Sequence, residues 1–169
     1  MASIKYSISI PSPLKHQFRI EMKITPMSKD EVCISLPNWI PGSYMIRDFA
    51  KHVLELKASD NSGKLKISTV AKNRFSIQHN QQEITVSYLY YAFDLSVRKA
   101  YLDHEFGFIN PASALFCVDE QATQKCEVTL EQPDHEICKN WRPASGLDGI
   151  KHDDCFAWAT YQAKNYLEL

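Results

Sequence analysis

Apolar and polar residues alternate through most of this chain, and the alternation predicts β-strands. Every second residue from Ile4 to Ile10 is apolar, and the pattern returns from Phe18 to Ile24. Successive side chains of a strand point to opposite faces, so a period of two indicates strands that bury one face. The same kind of pattern predicts further strands at 32–36, 48–58, 65–69, 75–77, 84–91, 125–132 and 156–163.

The predicted strands lead to a fold class. Residues 84–91 carry apolar side chains on both faces near the end of the strand, which predicts a position in the middle of a sheet. The adjacent apolar residues Val53 and Leu54 suggest a β-bulge. Almost no segment shows the 3.6-residue period of a helix. The sequence therefore predicts an all-β fold, a two-layer antiparallel β-sandwich with long loops.

Two long stretches lose the alternation. Residues 92–116 are rich in aromatic and charged residues and contain Gly107 and Pro111, so a long loop with short strands is predicted there. Residues 133–149 are predicted to form another loop, which inserts Trp141 into the core. Loops of this length in a compact domain often carry function.

A third interruption, from Leu36 to Phe49, is the most unusual stretch of the chain, and we call it the Pro/Gly loop. It reads Leu-Pro-Asn-Trp-Ile-Pro-Gly-Ser-Tyr-Met-Ile-Arg-Asp-Phe. Pro41 followed by Gly42 predicts a type II turn, because proline suits the second position and glycine accepts the positive φ of the third. The loop also carries Trp39, Tyr44, Arg47 and Asp48. This concentration of aromatic and charged side chains predicts a role beyond connecting two strands.

Composition and charge narrow the possible partners. The 169 residues fit one domain, and 19 Lys and Arg against 20 Asp and Glu give a formal charge of -1. Without a basic field, nucleic acid is not expected as a partner. No apolar stretch approaches the roughly 20 residues of a membrane helix, and no signal peptide is recognisable, so no membrane partner is expected. The odd, scattered set of 5 cysteines favours a reduced, cytoplasmic protein.

Known catalytic motifs do not occur in the chain. It has no H-E-x-x-H, no G-x-S-x-G and no phosphate-binding glycine pattern, so no catalytic residue is predicted. Two clusters could suggest metal, Asp134-His135-Glu136 with Cys138 and His152-Asp153-Asp154-Cys155. Both lie in polar loop sequence, where solvated side chains are the simpler explanation, and no metal site is predicted. A sugar-binding aromatic face is a further possibility, although tyrosine and phenylalanine are also common strand residues. Its members would be Trp39, Tyr44, Tyr88, Tyr90, Tyr91, Tyr101 and Phe106.

The Pro/Gly loop resembles a family signature. Leu-Pro-x-Trp-x-Pro-Gly-Ser-Tyr-x-Ile-Arg-Asp-Phe-Ala, here 36–50, is similar to the N-terminal domain of glycyl aminopeptidases, peptidase family sixty-one of the gluzincin zinc metallopeptidases. Further blocks support the resemblance: Tyr88 to Asp103, Gly107 to Asn110 with Ser113, Trp141 with Gly146-Leu147, and Ala163 to Leu169. The resemblance spans nearly the whole chain and implies that 1–169 is the N-terminal β domain of a longer metallopeptidase.

The resemblance also implies a function for the parent protein. A separate helical domain would carry H-E-x-x-H and zinc, usually with a PDZ-like domain, and would remove N-terminal residues from peptides with a preference for Gly and Ala. The present chain lacks the zinc domain, so it is expected to hold no cofactor and to be inactive alone. Its expected partners are its own catalytic domain and a peptide substrate with a free N-terminus.

Site residues follow from the same resemblance. In the related alanyl aminopeptidases and leukotriene hydrolase, whose N-terminal domains look similar, a loop of this domain helps to hold the substrate's free amine. The matching region makes Asp103, Glu105 and Asn110 candidates for substrate binding. Within the Pro/Gly loop, Tyr44 and Arg47 are candidates for substrate contact, and Trp39, Tyr44 and Asp48 for a groove wall or an interdomain contact.

Two alternatives stay open at this point. Arg47 and Asp48 could contact substrate, or they could fix the loop through an ion pair. The whole chain could instead be a free-standing β-sandwich that binds carbohydrate or protein. The reading frame after Leu169 would separate these two functions, and the first predicts an exposed apolar surface that the catalytic domain normally covers.

Overall fold

Strands form where the sequence alternates, because alternation lets each strand bury one face. The computed structural model of the protein describes residues 3–25, 30–150 and 154–169. The strands are β1 Ser3–Ser12, β2 Gln17–Ile24, β3 Glu31–Ser35, β4 Val53–Asp60, β5 Gly63–Lys64, β6 Ile67–Ala71, β7 Arg74–Gln78, β8 Ile84–Tyr91, β9 Ala100–Leu102, β10 Gly107–Ile109, β11 Cys117–Val118, β12 Lys125–Leu130, β13 Asp148–Gly149 and β14 Thr160–Ala163.

Helical structure in the described residues is limited to short turns. The one α-helical turn is α1, Pro111–Ala114, and the 3-10 turns are Pro13–Lys15, Phe49–His52, Asp119–Gln121, Glu136–Cys138 and Tyr166–Glu168. None of these helices has the length and apolar character that crossing a membrane requires.

The strands form two layers around one core. The larger sheet has eight strands in the order β13-β14-β12-β1-β2-β8-β4-β5, and the second has four, β11-β3-β7-β6. Buried side chains of both sheets belong to one hydrophobic cluster, for example Ile20 and Tyr88 from the first and Ile34 and Ile77 from the second. The predicted all-β sandwich is confirmed. A separate ribbon pairs β9 with β10.

One pair of strands departs from the antiparallel prediction. β1 and β12 run parallel, with Ile4 opposite Cys126 and Ile8 opposite Leu130. Parallel neighbours need a long connection, and here most of the domain lies between the two strands along the chain. Local alternation carries no information about this direction.

The central strand matches its prediction closely. β8 lies between β2 and β4, in the middle of the larger sheet. Its residues Ile84, Val86, Tyr88 and Tyr90 are buried, and Leu89 on the opposite face is buried as well. Burial on both faces near the strand's end explains the loss of alternation there.

Several predicted boundaries were wrong. Residues 48–58 were expected to be extended throughout, but 49–52 form a 3-10 turn that buries Phe49, and the strand begins at Val53. The predicted bulge exists but lies slightly later, between Leu54 and Lys57, where Glu55 has a φ of 53°. The last strand covers only 160–163 instead of 156–163.

Both long loops are confirmed. Residues 92–116 hold the short strands β9 and β10 and the turn α1. In the second loop, Trp141 packs against the core and is only partly buried, so its predicted insertion is incomplete. Trp141 also contributes to the lining of a groove, which is described below.

Three buried tyrosines form hydrogen bonds with the last residue of α1 and the two residues after it. The hydroxyl of Tyr88 donates to the carbonyl of Ala114 at 2.7 Å, that of Tyr166 to Leu115 at 2.6 Å, and that of Tyr6 to Phe116 at 2.7 Å. Burial also raises the pKa of all three phenols above the ordinary value, so they remain donors even in alkaline solution. Three separate parts of the chain thus hold three consecutive carbonyl groups in place.

Candidate functional site

The Pro/Gly loop turns where the sequence predicts. The Ser43 N–H donates to the carbonyl of Ile40 at 3.1 Å, and Gly42 between them has a φ of 77°. These are the features of a type II turn with Pro41 and Gly42 in its central positions. The predicted turn is confirmed, and it carries the chain back towards the sandwich.

A buried serine holds the rest of this loop together. The Ser43 hydroxyl donates to the carbonyl of Met45 at 2.9 Å and accepts from the Arg47 Nε–H at 3.1 Å. The Trp39 indole N–H donates to the Ser43 carbonyl at 2.7 Å, and the Arg47 N–H to the Asn38 carbonyl at 2.6 Å. Arg47 therefore helps to fix the loop, but through Ser43 and Asn38 instead of the ion pair with Asp48 that the sequence suggested. Sequence reasoning missed Ser43, whose signal was a small polar residue directly after the Pro-Gly pair.

The remaining candidates of the Pro/Gly loop point outwards. Tyr44 is fully exposed at 104%, and Met45 and Ile46 follow at 66% and 77%. Asp48 is exposed, and its carbonyl accepts the Lys51 N–H at the start of the 3-10 turn. Trp39 is about half exposed, even though its indole N–H is used inside the loop.

A second loop extends the apolar surface that begins at Tyr44. The Arg98 guanidinium donates through Nη2 to the Gly42 carbonyl at 2.7 Å, which ties residues 93–99 to the Pro/Gly loop. Leu95 and Val97 in this second loop are 71% and 73% exposed. We call these five side chains the apolar tip: Tyr44, Met45, Ile46, Leu95 and Val97. Exposed apolar side chains of the kind expected are therefore present on two linked loops.

Asp103 has a structural task inside its own loop. Its Oδ1 accepts the N–H groups of Glu105 at 2.7 Å and Phe106 at 3.0 Å, and its Oδ2 accepts the Tyr101 hydroxyl at 2.8 Å. These bonds, chiefly that from Phe106, lower the pKa of Asp103 below its ordinary value. Its acceptor oxygens are already engaged, so Asp103 is a weak candidate for holding a substrate amine.

Replacing Asp103 by Ala is expected to lower the melting temperature at neutral pH and to have less effect in acid. A depressed carboxyl pKa contributes stability above the unfolded-state pKa, and this is lost as the pH falls through the folded-state value. The gap between wild type and variant should therefore narrow below about pH 4. Thermal unfolding at pH 7 and pH 3 measures it, with Asp134→Ala, an exposed acid on another loop, as control. An equal gap at both pH values would contradict the structural role.

Asn110 is also committed to the local fold. Its Oδ1 accepts the Ala112 N–H at 3.1 Å and caps α1, and its Nδ2 donates to the Val97 carbonyl at 3.0 Å. With the bond from Arg98 to Gly42, this gives a continuous connection from the Pro/Gly loop to α1. The structure thus links the two regions that the sequence singled out separately.

Glu105 differs from these neighbours. Its side chain is 71% exposed, and the His104 ring nitrogen Nε2 lies 3.9 Å from its Oε1. Its N–H is held by Asp103, so the loop presents the carboxylate from a fixed backbone. Among the candidates for holding an amine, Glu105 is the one whose carboxylate remains free for a ligand.

Glu105 lies on the rim of a groove of about 870 Å³. Ile10, Phe18 and Leu130 of the larger sheet contribute to its lining, with β10 on one side and residues 140–147 on the other. Glycine at position 107 lets the β10 backbone lie close to the side chains of Leu102 and Phe18. A Cβ there would lie 3.1 Å from the Leu102 side chain and 3.3 Å from the Phe18 ring. The groove brings Glu105 and Phe106 of the predicted site loop together with apolar residues of the larger sheet.

The residues of the predicted aromatic face do not share one surface in the structure. Tyr88 and Tyr90 are buried in the core and cannot bind a sugar. Tyr101 instead stacks between Phe93 and Phe106, with ring centroids 5.4 Å and 5.2 Å apart. The His16 ring connects Tyr91 to this row. Its centroid lies 6.3 Å from that of Tyr91 and 4.0 Å from that of Phe93. Part of the predicted aromatic face thus forms a row of rings beside the β9–β10 ribbon, whereas Trp39 and Tyr44 lie in the Pro/Gly loop.

The possible metal clusters have other roles where they are described. His135 Nδ1 accepts the Ile137 N–H at 3.2 Å, and Glu136 pairs with Lys139 at 3.3 Å. His152 and Asp153 lie outside the described residues, and the Asp154 carboxylate accepts the Phe156 N–H at 2.8 Å. Across 3–25, 30–150 and 154–169, no three His, Cys, Asp or Glu side chains converge as a metal site would require.

Two cysteines of the interior are unsuited to nucleophilic chemistry. Burial raises the pKa of the Cys117 thiol to about 12 and that of Cys126 to about 11. The thiolate is the reactive form, and it is scarce at neutral pH under these conditions. These thiols contribute to the core.

Comparison with solved structures defines the class of protein. The aminopeptidase N family protein from Idiomarina loihiensis is 36% identical, superposes with a TM-score of 0.91 and matches 98% of this chain. The match covers 28% of that longer protein, so the sandwich corresponds to one part of a larger aminopeptidase-like chain.

The family follows from a second comparison. The family model described as Peptidase M61 N-terminal domain matches residues 5–169, and the chain belongs to this family. The family inferred from the Pro/Gly loop is thereby confirmed. A comparison with curated proteins gives no significant match.

Proposed function

We propose that this chain is the non-catalytic N-terminal domain of a zinc-dependent aminopeptidase. The parent would remove N-terminal residues from peptides, with a preference for Gly and Ala, and would carry zinc in a separate catalytic domain. The match of residues 5–169 to a peptidase N-terminal family is the observation that supports this proposal best. It also favours this function over a free-standing module for carbohydrate or protein.

Within that protein, Glu105 would hold the free amine of the substrate. An aminopeptidase must recognise an ammonium group and close one end of its groove, and a carboxylate from a second domain can do both. Charge-assisted hydrogen bonds of this kind are stronger than neutral ones. Asp103 supports the proposal indirectly, because its carboxylate holds the N–H groups of Glu105 and Phe106 and so fixes the loop backbone there.

The apolar tip would dock on the catalytic domain. Five large apolar side chains on two linked loops are expensive to leave in water, so burial against a partner would be favourable. We further propose a reduced, cytoplasmic setting, which agrees with the five free cysteines.

Replacing Glu105 by Gln in the full-length protein is expected to raise KM for peptides with a free N-terminus. The amide keeps the size of the side chain but removes its charge, and the lost charge-assisted bond corresponds to about a tenfold or larger change in KM. Steady-state kinetics on the zinc-loaded enzyme measures this change.

Glu83→Gln, which alters an exposed acid at the start of β8, provides the matched control. An unchanged KM for Glu105→Gln would remove Glu105 from the amine site. Equal increases for both variants would attribute the effect to overall charge.

A further inference from the structure

The groove between β10 and residues 140–147 has the size and lining of a ligand site. Its volume of about 870 Å³ lies within the range of pockets that hold small organic ligands. Trp141, Trp158 and Leu147 contribute to its lining together with the apolar residues of the larger sheet. Such a surface favours apolar groups of a ligand.

The charges around the groove restrict what can occupy it. Glu105, Glu131 and Glu168 line it, and Arg142 is its basic residue among those described. Ser7 donates to the Glu131 carboxylate, and Asn165 Nδ2 to that of Glu168 at 3.2 Å. The acidic excess disfavours apolar anions such as fatty acids and favours an apolar ligand that carries a cation.

We propose that this groove binds the bulky apolar side chains that follow the N-terminal residue of a peptide. The identity of the ligand as a peptide rests on the function proposed above. A peptide with a free N-terminus combines the two required properties, an ammonium group for the acidic rim and apolar side chains for the tryptophan-lined interior. Glu105 contributes to the lining of the same groove as the tryptophans, and its side chain is 71% exposed, so one extended chain can reach both.

The proposal predicts a preference at the residues after the first one, in addition to the preference for a small first residue. The first residue would lie at the rim, beside Glu105, and the next side chains would enter the groove. Peptides with a small first residue followed by leucine or phenylalanine would then be bound better than those followed by serine.

Tryptophan fluorescence of the 169-residue chain tests the proposal directly, because two of its 3 tryptophans line the groove. The chain is titrated with Gly-Leu-Leu amide, Gly-Ser-Ser amide and N-acetyl-Gly-Leu-Leu amide. The leucine peptide is expected to shift the emission and to bind about tenfold or more tightly than the serine peptide.

A groove-filling variant makes the test independent of folding. A Cβ added at Gly146 meets no atom within 4 Å, so the first atom of a new side chain causes no clash there. Gly146→Phe is expected to abolish the preference for the leucine peptide. Ala71→Phe, at an exposed position on the edge strand β6, should leave it unchanged.

Each outcome has a distinct meaning. Equal binding of the leucine and serine peptides, or an unchanged preference in Gly146→Phe, would overturn the groove as a side-chain site. If the acetylated leucine peptide binds as well as the free one, the side-chain site stands and the amine role of Glu105 fails. The two proposals can therefore fail separately.

Discussion

Replacing Phe116 by Ala is expected to lower the free energy of unfolding by about 3–5 kcal/mol. The ring is fully buried and makes edge contacts with Phe75 in the smaller sheet and Tyr88 in the larger one, at centroid distances of 5.7 Å and 5.1 Å. Its removal would leave a cavity between the layers, and the two aromatic contacts would be lost as well.

Chemical denaturation of wild type and variant measures this effect. Phe156→Ala is the matched control, because that ring is 53% exposed and little apolar area is lost. Phe116→Leu, which keeps most of the volume, should fall between the two and provides a usable value if the alanine variant does not fold. A loss for Phe116→Ala no larger than for Phe156→Ala would show that this contact between the sheets is unimportant.

The double variant Tyr44→Asp, Ile46→Asp is expected to reduce the activity of the full-length protein about hundredfold or more while leaving this domain's melting temperature unchanged. Both side chains are largely exposed in the isolated domain, so it loses little on substitution. Against the proposed catalytic domain, two buried contacts would disappear and two carboxylates would be desolvated.

Two comparisons make this prediction specific. Val70→Asp changes a similarly exposed aliphatic side chain on β6 and should leave activity intact. Arg47→Ala, in contrast, removes the bond to Ser43 and should lower both activity and melting temperature. Full activity in the double variant would show that the apolar tip is not the docking surface.

Local sequence was sufficient for the strands that bury one face. In β2, the residues from Phe18 to Ile24 alternate between buried and exposed, as their pattern predicts. The turn at Pro41 and Gly42 was predictable for the same reason, since the stereochemistry of two residues decides it. The pairing of strands could not be predicted in this way, because no residue near β1 or β12 indicates that the two strands lie side by side in parallel.

The candidate site was predictable by region and less so by role. The sequence placed Asp103, Glu105 and Asn110 together as possible amine ligands, but it could not show which side chains serve the loop itself. Asp103 and Asn110 accept backbone N–H groups two residues further along the chain, a common local use of short polar side chains. Ser43 was missed because its importance comes from burial and from Arg47 folding back on it.

The hydrogen bond from Tyr166 to Leu115 couples the C-terminal end of the described chain to the region of α1. Tyr166 lies near the end of the described chain, whereas Leu115 directly follows α1, whose cap Asn110 is bonded to the loop that bears Val97. A displacement of residues 166–168 must either break a buried hydrogen bond or pull Leu115 with it. Tension on the C-terminal end would thus be transmitted through these contacts to the loop of Val97, which carries part of the apolar tip.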